Sequence, residues 1–86
     1  MSLNALRDEV ASFLRVVDPD HLRADGEILA MLDEKYSELK QAESVQLPHR
    51  IYDVIFLLLE LAATRHCDLD AEWNAGRIRK RKYDRA

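Results

Sequence analysis

Apolar residues recur every three or four positions along most of this 86-residue chain, the spacing of one face of an α-helix. Leu3, Leu6, Val10, Phe13, Leu14 and Val17 set out a first helix over Leu3–Val17. Asp18-Pro19-Asp20 stops it: proline disfavours helix at the residue before it, and can itself open a new helix with Asp18 as cap. The second helix covers Glu27–Glu43, with Ile28, Leu29, Leu32, Tyr36 and Leu39 on its apolar face. Its start stays open as far back as Pro19, because Gly26 weakens the intervening turns by about 1 kcal/mol relative to alanine. A short loop, Ser44–Pro48, leads to a third helix over Pro48–Arg65. From Val54 to Ala63 that helix is apolar almost all round, interrupted by Glu60. Asp68 caps a fourth helix, Leu69–Lys82, with Leu69, Trp73, Lys80 and Tyr83 near one stripe. The expected fold is all-α: four helices in a single domain, residues 1–86.

A helix that is apolar all round is central and buried on most sides. The chain has too few other helices to cover the third one. Leaving Ile55, Leu58, Leu59 and Ala62 open would form a large apolar patch, which monomers avoid. The expected assembly is therefore a homodimer or higher homo-oligomer in which the third helices pack into a shared bundle. Size points the same way, since a chain this short buries only about 60% of its unfolded surface. Cys67 is the only cysteine, so no intrachain disulfide adds to the core.

Hydrophobic residues make up 48% and charged residues 34%, a globular composition, and two Gly and two Pro leave few helix breakers. Arg7, Asp8 and Glu9 interrupt any N-terminal apolar run, so no signal peptide is expected. The longest apolar run, Val54–Leu59, is too short to span a bilayer, and the default compartment is the cytoplasm.

Net charge is −3 but uneven. Residues 1–76 carry 15 acids and 7 bases, net −8, and residues 77–86 carry 6 bases and 1 acid, net +5. A basic tail on an acidic body could fold back, meet a partner or hold phosphate. The acidic body argues against nucleic acid, and no DNA-reading motif accompanies the tail.

The acidic segment MLDEKYSELKQAE, then RIYDVIFLLLELA, CDLDAEW and the basic ending RIRKRKY follow one another over residues 27–83. This order resembles the MazG-like all-α nucleoside triphosphate pyrophosphohydrolases, most strongly over Asp53-Val54-Ile55, Leu57–Ala62 and Asp68-Leu69-Asp70. The resemblance implies an all-α fold that splits a nucleoside triphosphate into monophosphate and pyrophosphate. It also implies two acid pairs, E-x-x-E and E-x-x-D, on facing helices holding Mg²⁺. The physical need is clear: a triphosphate is attacked by water only when cations offset its charge, and Mg²⁺ prefers oxygen ligands.

Here the second acid of the first pair falls on Glu38 and its first on Lys35. The aspartate of the second pair falls on Asp53 and its partner on Arg50. Two of four acids are thus bases, each three residues from a surviving acid, which is salt-bridge spacing on a helix. In one reading Lys35 and Arg50 neutralise Glu38 and Asp53 where a metal would sit. In the other, Glu34, Glu38, Asp53 and Glu60 form a rearranged Mg²⁺ site. His49, Asp53 and Glu60 project within about 40° of each other on the third helix. Glu34 points away from the core side and, with Glu27, suits a solvated surface. Glu60 interrupts an apolar helix, and a buried carboxylate needs a partner, either a metal or an arginine of the other subunit.

By the same resemblance, Lys80, Lys82 and Tyr83 would contact a nucleotide, and Lys35 or Arg50 a phosphate; the plainer reading of the tail is a solvated helix end. Trp73 suits a core or interface anchor. His21 suits a loop and His66 a helix end. No P-loop, nucleophile elbow or Cys/His metal motif is present. Three functions follow: a Mg²⁺-dependent pyrophosphohydrolase, an inert nucleotide-binding module, or a dimeric helical interaction protein.

Overall fold

The computed structural model describes residues 2–19 and 23–83. Among them are α1 (Leu3–Val17), α2 (Asp25–Lys40), α3 (Leu47–Thr64) and α4 (Leu69–Lys80), followed by a single 3₁₀ turn, Arg81–Tyr83. The described chain is all-helical, and none of its helices is long and apolar enough to cross a membrane.

α1 has the bounds its periodicity predicts, opened by Ser2, whose hydroxyl accepts from the Ala5 N–H at 3.0 Å. α2 begins at Asp25, within the span left open between Pro19 and Glu27, and ends at Lys40, short of Glu43. Asp18 closes α1 rather than opening the next helix, and α2 begins after Ala24, which offers no side-chain cap. Asp25 and Glu27 in its first turn suit the positive pole of the helix instead. At the other end the chain turns at Gln41, where the Gln46 side chain accepts from the Glu43 N–H at 3.2 Å. The stop at Asp20 and the loop position of His21 lie outside the described residues.

α3 starts with Pro48 in its first turn, where a missing N–H costs nothing. It ends in a Schellman turn: Cys67 N–H donates to Ala62 O at 2.9 Å and His66 N–H to Ala63 O at 3.3 Å. The left-handed position of that turn is held by His66, at φ 54°. Asp68 then caps α4 by accepting from Ala71 N–H at 3.0 Å. The start of α1 is laced to this corner. Asn4 donates to Asp68 Oδ1 at 2.9 Å and accepts from Leu69 N–H at 2.8 Å, while Leu3 N–H donates to Asp70 Oδ1 at 2.9 Å. The Asn4 amide, then the Ala71 N–H, hold the Asp68 carboxyl below its ordinary pKa.

α1 and α2 both run antiparallel to α3 and pack against it, but barely touch each other. The result is an open layer with α3 in the middle, not a closed three-helix bundle. Phe13 of α1 meets Phe56 edge-on, with ring centroids 6.1 Å apart. On the α2 side, Asp25 pairs with Arg65 and accepts from Thr64 Oγ1 at 3.3 Å. α4 packs chiefly on α1, and the molecule is 50 Å long while α3 is roughly 27 Å.

The core is correspondingly thin: among the described residues Val10, Ile28, Leu57, Leu59 and Ala62 are the buried hydrophobic ones, and of these Ile28 is fully enclosed. Leu59 and Ala62, expected at a subunit interface, are covered within the chain, whereas Ile55 and Leu58 of the same set are about half exposed.

Glu60 is the one buried charged residue among those described. It is held by Arg23 of the same chain, not by an arginine of another subunit. Arg23 Nε donates to Glu60 Oε2 at 2.7 Å, Nη2 donates to Oε1, and Nη1 lies 2.9 Å from Met31 Sδ. This two-pronged pair clamps the segment before α2 onto the middle of α3. Its two members are unequal, because the Glu60 side chain is 4% exposed and that of Arg23 22%. Arg23→Ala strands a buried carboxylate and should cost about 3–5 kcal/mol. Glu60→Leu should cost clearly less, because the freed guanidinium can turn to water. Urea unfolding of both variants at equal protein concentration checks that order.

Candidate functional site

The C-terminal half of α2 faces the N-terminal half of α3, and the residues at the four motif positions meet there. Lys35 and Glu38 stand one turn apart on α2, with Nζ 3.1 Å from Glu38 Oε2. Arg50 and Asp53 stand one turn apart on α3, with Nη1 3.7 Å from Asp53 Oδ2. Arg50 Nη1 also reaches across to Glu38 Oε1, at 3.9 Å. His49 Nε2 approaches Asp53 Oδ2 at 3.5 Å from the exposed side.

Arg50 therefore sits between the two acids and faces one oxygen of each. The charge count closes on itself: two carboxylates, one guanidinium and one ammonium, with His49 at the edge. Glu38 Oε2 is buried and accepts no well-directed hydrogen bond, so the nearby Lys35 ammonium stabilises it by charge rather than by a directed bond. Both pairs are partly exposed, Lys35 and Glu38 by about a third, so water screens them and each contributes little to stability alone.

The other proposed ligands do not join this group. Glu34 is exposed on α2, and Glu60 is occupied by Arg23. Among the described residues, no three of His, Cys, Asp and Glu come together closely enough to hold a metal ion. The donor set that Mg²⁺ needs, several converging oxygens, is thus not what Lys35, Glu38, Arg50 and Asp53 offer.

The basic ending lies apart as well. Arg77, Arg79, Lys80 and Lys82 are exposed, and Lys82 Nζ stands 5.1 Å from the centre of the Tyr83 ring. Arg79 pairs with Glu72 of its own helix at 2.8 Å. α4 touches α1 and not α2, so Lys80, Lys82 and Tyr83 stand away from the α2–α3 cluster within one chain. Trp73 is exposed on the same arm.

Two hollows flank α3. A shallow one of about 250 Å³ borders the charge cluster and is lined by Arg23, Lys35, Tyr52 and Asp53 together with Met31 and Leu57. The larger, about 500 Å³, is an open apolar groove between α1 and α3, lined by Leu6, Val10, Phe13, Ile55, Phe56 and Leu59. Arg23 was not legible as a site residue, because it stands in a segment with no periodicity. The signal that could have found it is the lone acid in an apolar helix, which demands a base.

Compared with family models, curated proteins and solved structures, the chain matches none.

If the two bases offset Glu38 and Asp53 as a metal ion would, replacing them by acids should create a site for such an ion. The double substitution Lys35→Glu with Arg50→Glu should give a folded protein that binds Mg²⁺ calorimetrically, where the parent chain gives no heat. A folded double variant with no divalent-ion binding contradicts this account of the cluster.

Proposed function

We propose that this chain is a self-associating, homodimeric helical module that keeps the framework of a nucleotide pyrophosphohydrolase-like domain without its hydrolytic chemistry. The observation carrying this reading is the position of Arg50, between Glu38 and Asp53 and within 4 Å of both. A guanidinium there offsets the carboxylates as a divalent cation would. It offers no open coordination position, activates no water and lends no second charge to a polyphosphate. Mg²⁺ binding is accordingly lost, and with it turnover. The module's work is then association, through the apolar surface that its own helices leave open.

A second reading rests on the shallow hollow beside the cluster. Two cationic side chains, Arg23 and Lys35, and the exposed ring of Tyr52 line it next to apolar Met31 and Leu57. A base stacked on an aromatic with its phosphate against Lys35 is the chemistry of an inert nucleotide-binding module. Against it, both cations are already paired, Arg23 to Glu60 and Lys35 to Glu38.

One experiment separates these readings. The protein is titrated calorimetrically with Mg²⁺ and then with a non-hydrolysable dUTP or dCTP analogue, beside a pyrophosphate-release assay on the four dNTPs. The expected result is no heat and no pyrophosphate. Nucleotide binding without release would replace the association reading with the nucleotide module. Metal-dependent release would overturn both and return the acids to catalysis.

A further inference from the structure

α3 needs three neighbours and has two. At about 100° per residue, the side chains that meet α1 (Tyr52, Phe56 and Leu59) centre near one direction on the helix. Those that meet α2 and its leading segment (Arg50, Asp53, Glu60 and Thr64) centre roughly 120° away. The remaining third of the circumference carries Leu47, Pro48, Ile51, Val54, Ile55 and Leu58, without one polar side chain. Leu47, Ile51, Ile55 and Leu58 are 41%, 43%, 46% and 47% exposed, at spacings of four, four and three along the helix. That is the seam pattern of a helix packed lengthwise on another helix.

The surface left open is more than enough for a dimer. A compact monomer of 10.0 kDa exposes about 5,200 Å², whereas this chain exposes 6870 Å². The excess on one chain, roughly 1,600 Å², is about twice the ~800 Å² that a standard interface takes from each partner. Shape agrees: the radius of gyration is 15.1 Å against about 12 Å for a compact chain of this length.

We infer that a second copy of this chain covers the open third of α3, and that the two α3 helices cross antiparallel about a two-fold axis near residues 52 and 53. This rests on the self-associating reading above and gives it a geometry. The seam is self-complementary in that direction. Leu47 stands opposite the partner's Leu58, and Ile51 opposite the partner's Ile55, so large apolar residues meet along the whole contact. Phe13 and Tyr52, 52% and 60% exposed, flank the seam and close its edge over the α1–α3 groove. Orientation follows from charge. Residues 77–86 carry +5, and α4, which holds the first of these bases, starts at the C-terminal end of α3. A parallel pair would place both arms at one end, and the antiparallel pair separates them along the helix.

The test uses the full chain with Cys67→Ser, which removes its exposed cysteine, and two single additions, Leu47→Cys and Leu58→Cys. In the antiparallel seam each of these positions lies about 8 Å along the axis from the two-fold, so identical positions are roughly 16 Å apart, beyond disulfide reach of about 7 Å. Refolded separately and oxidised, neither variant should form covalent dimer. Refolded together, they should give the mixed disulfide in high yield, from a species twice the 10.0 kDa chain mass. Efficient linking of each variant to itself would overturn the antiparallel geometry while leaving the dimer standing. A species of doubled mass that links in no combination would overturn the choice of face. A chain of single mass throughout would remove the self-association reading itself.

Discussion

Everything in this fold depends on how a helix that is apolar on nearly all sides is kept out of water. α3 receives α1 on one flank and α2 on another, and the two flanking helices scarcely meet. Its few polar side chains are gathered on the α2 side, where partners exist for them. Arg50 finds Glu38 across the contact and Asp53 beside it, Glu60 finds Arg23, and Thr64 finds Asp25. What remains is an apolar face, Leu47, Ile51, Ile55 and Leu58, that the described residues leave about half exposed. Burial of apolar surface contributes about 25 cal/mol per Å², so closing such a face stabilises the domain more than any single ion pair in it.

The same packing explains the charge cluster. Bringing the end of α2 against the start of α3 forces Glu38 and Asp53 into one neighbourhood, and two like charges there would oppose the contact. Something positive has to stand between them. In this chain Arg50 does so, seconded by Lys35, and the cluster becomes part of the α2–α3 contact rather than a place for an ion. Stability and chemistry are in competition at these positions: a base that satisfies the acids also fills the space a metal would need.

Much of this was legible from residue order, for identifiable reasons. The bounds of α1 follow from an uninterrupted apolar stripe, and the start of α4 from an aspartate poised as a cap. The pairing of Lys35 with Glu38 and of Arg50 with Asp53 follows from a spacing of three on a helix. The start of α2 stayed open between Pro19 and Glu27 because Asp18-Pro19 is a good helix opener locally and Gly26 weakens the turns between; it falls at Asp25, while Asp18 closes α1. Its end was misread because nothing in Gln41–Glu43 forbids helix; backbone bonds from Gln41 to Glu38 and from Ala42 to Leu39, with the Gln46 side chain accepting from the Glu43 N–H, turn the chain earlier. Arg23 was invisible as the partner of Glu60, since that bond spans 37 residues and starts outside any periodic segment. Which of Ile55, Leu58, Leu59 and Ala62 remain open depends on where α1 and α2 settle around α3, a tertiary fact that the pattern along the chain does not encode.

If the open face of α3 is closed by a second copy, folding and association are one process, and stability must depend on concentration. The direct measurement is the urea midpoint of helix loss, followed over a hundredfold range of protein concentration. The account predicts a midpoint that rises steadily with concentration, with loss of helix and loss of dimer coinciding. A midpoint that stays fixed over that range would mean that the layer of α1, α3 and α2 is stable alone with its apolar face in water, and would contradict it.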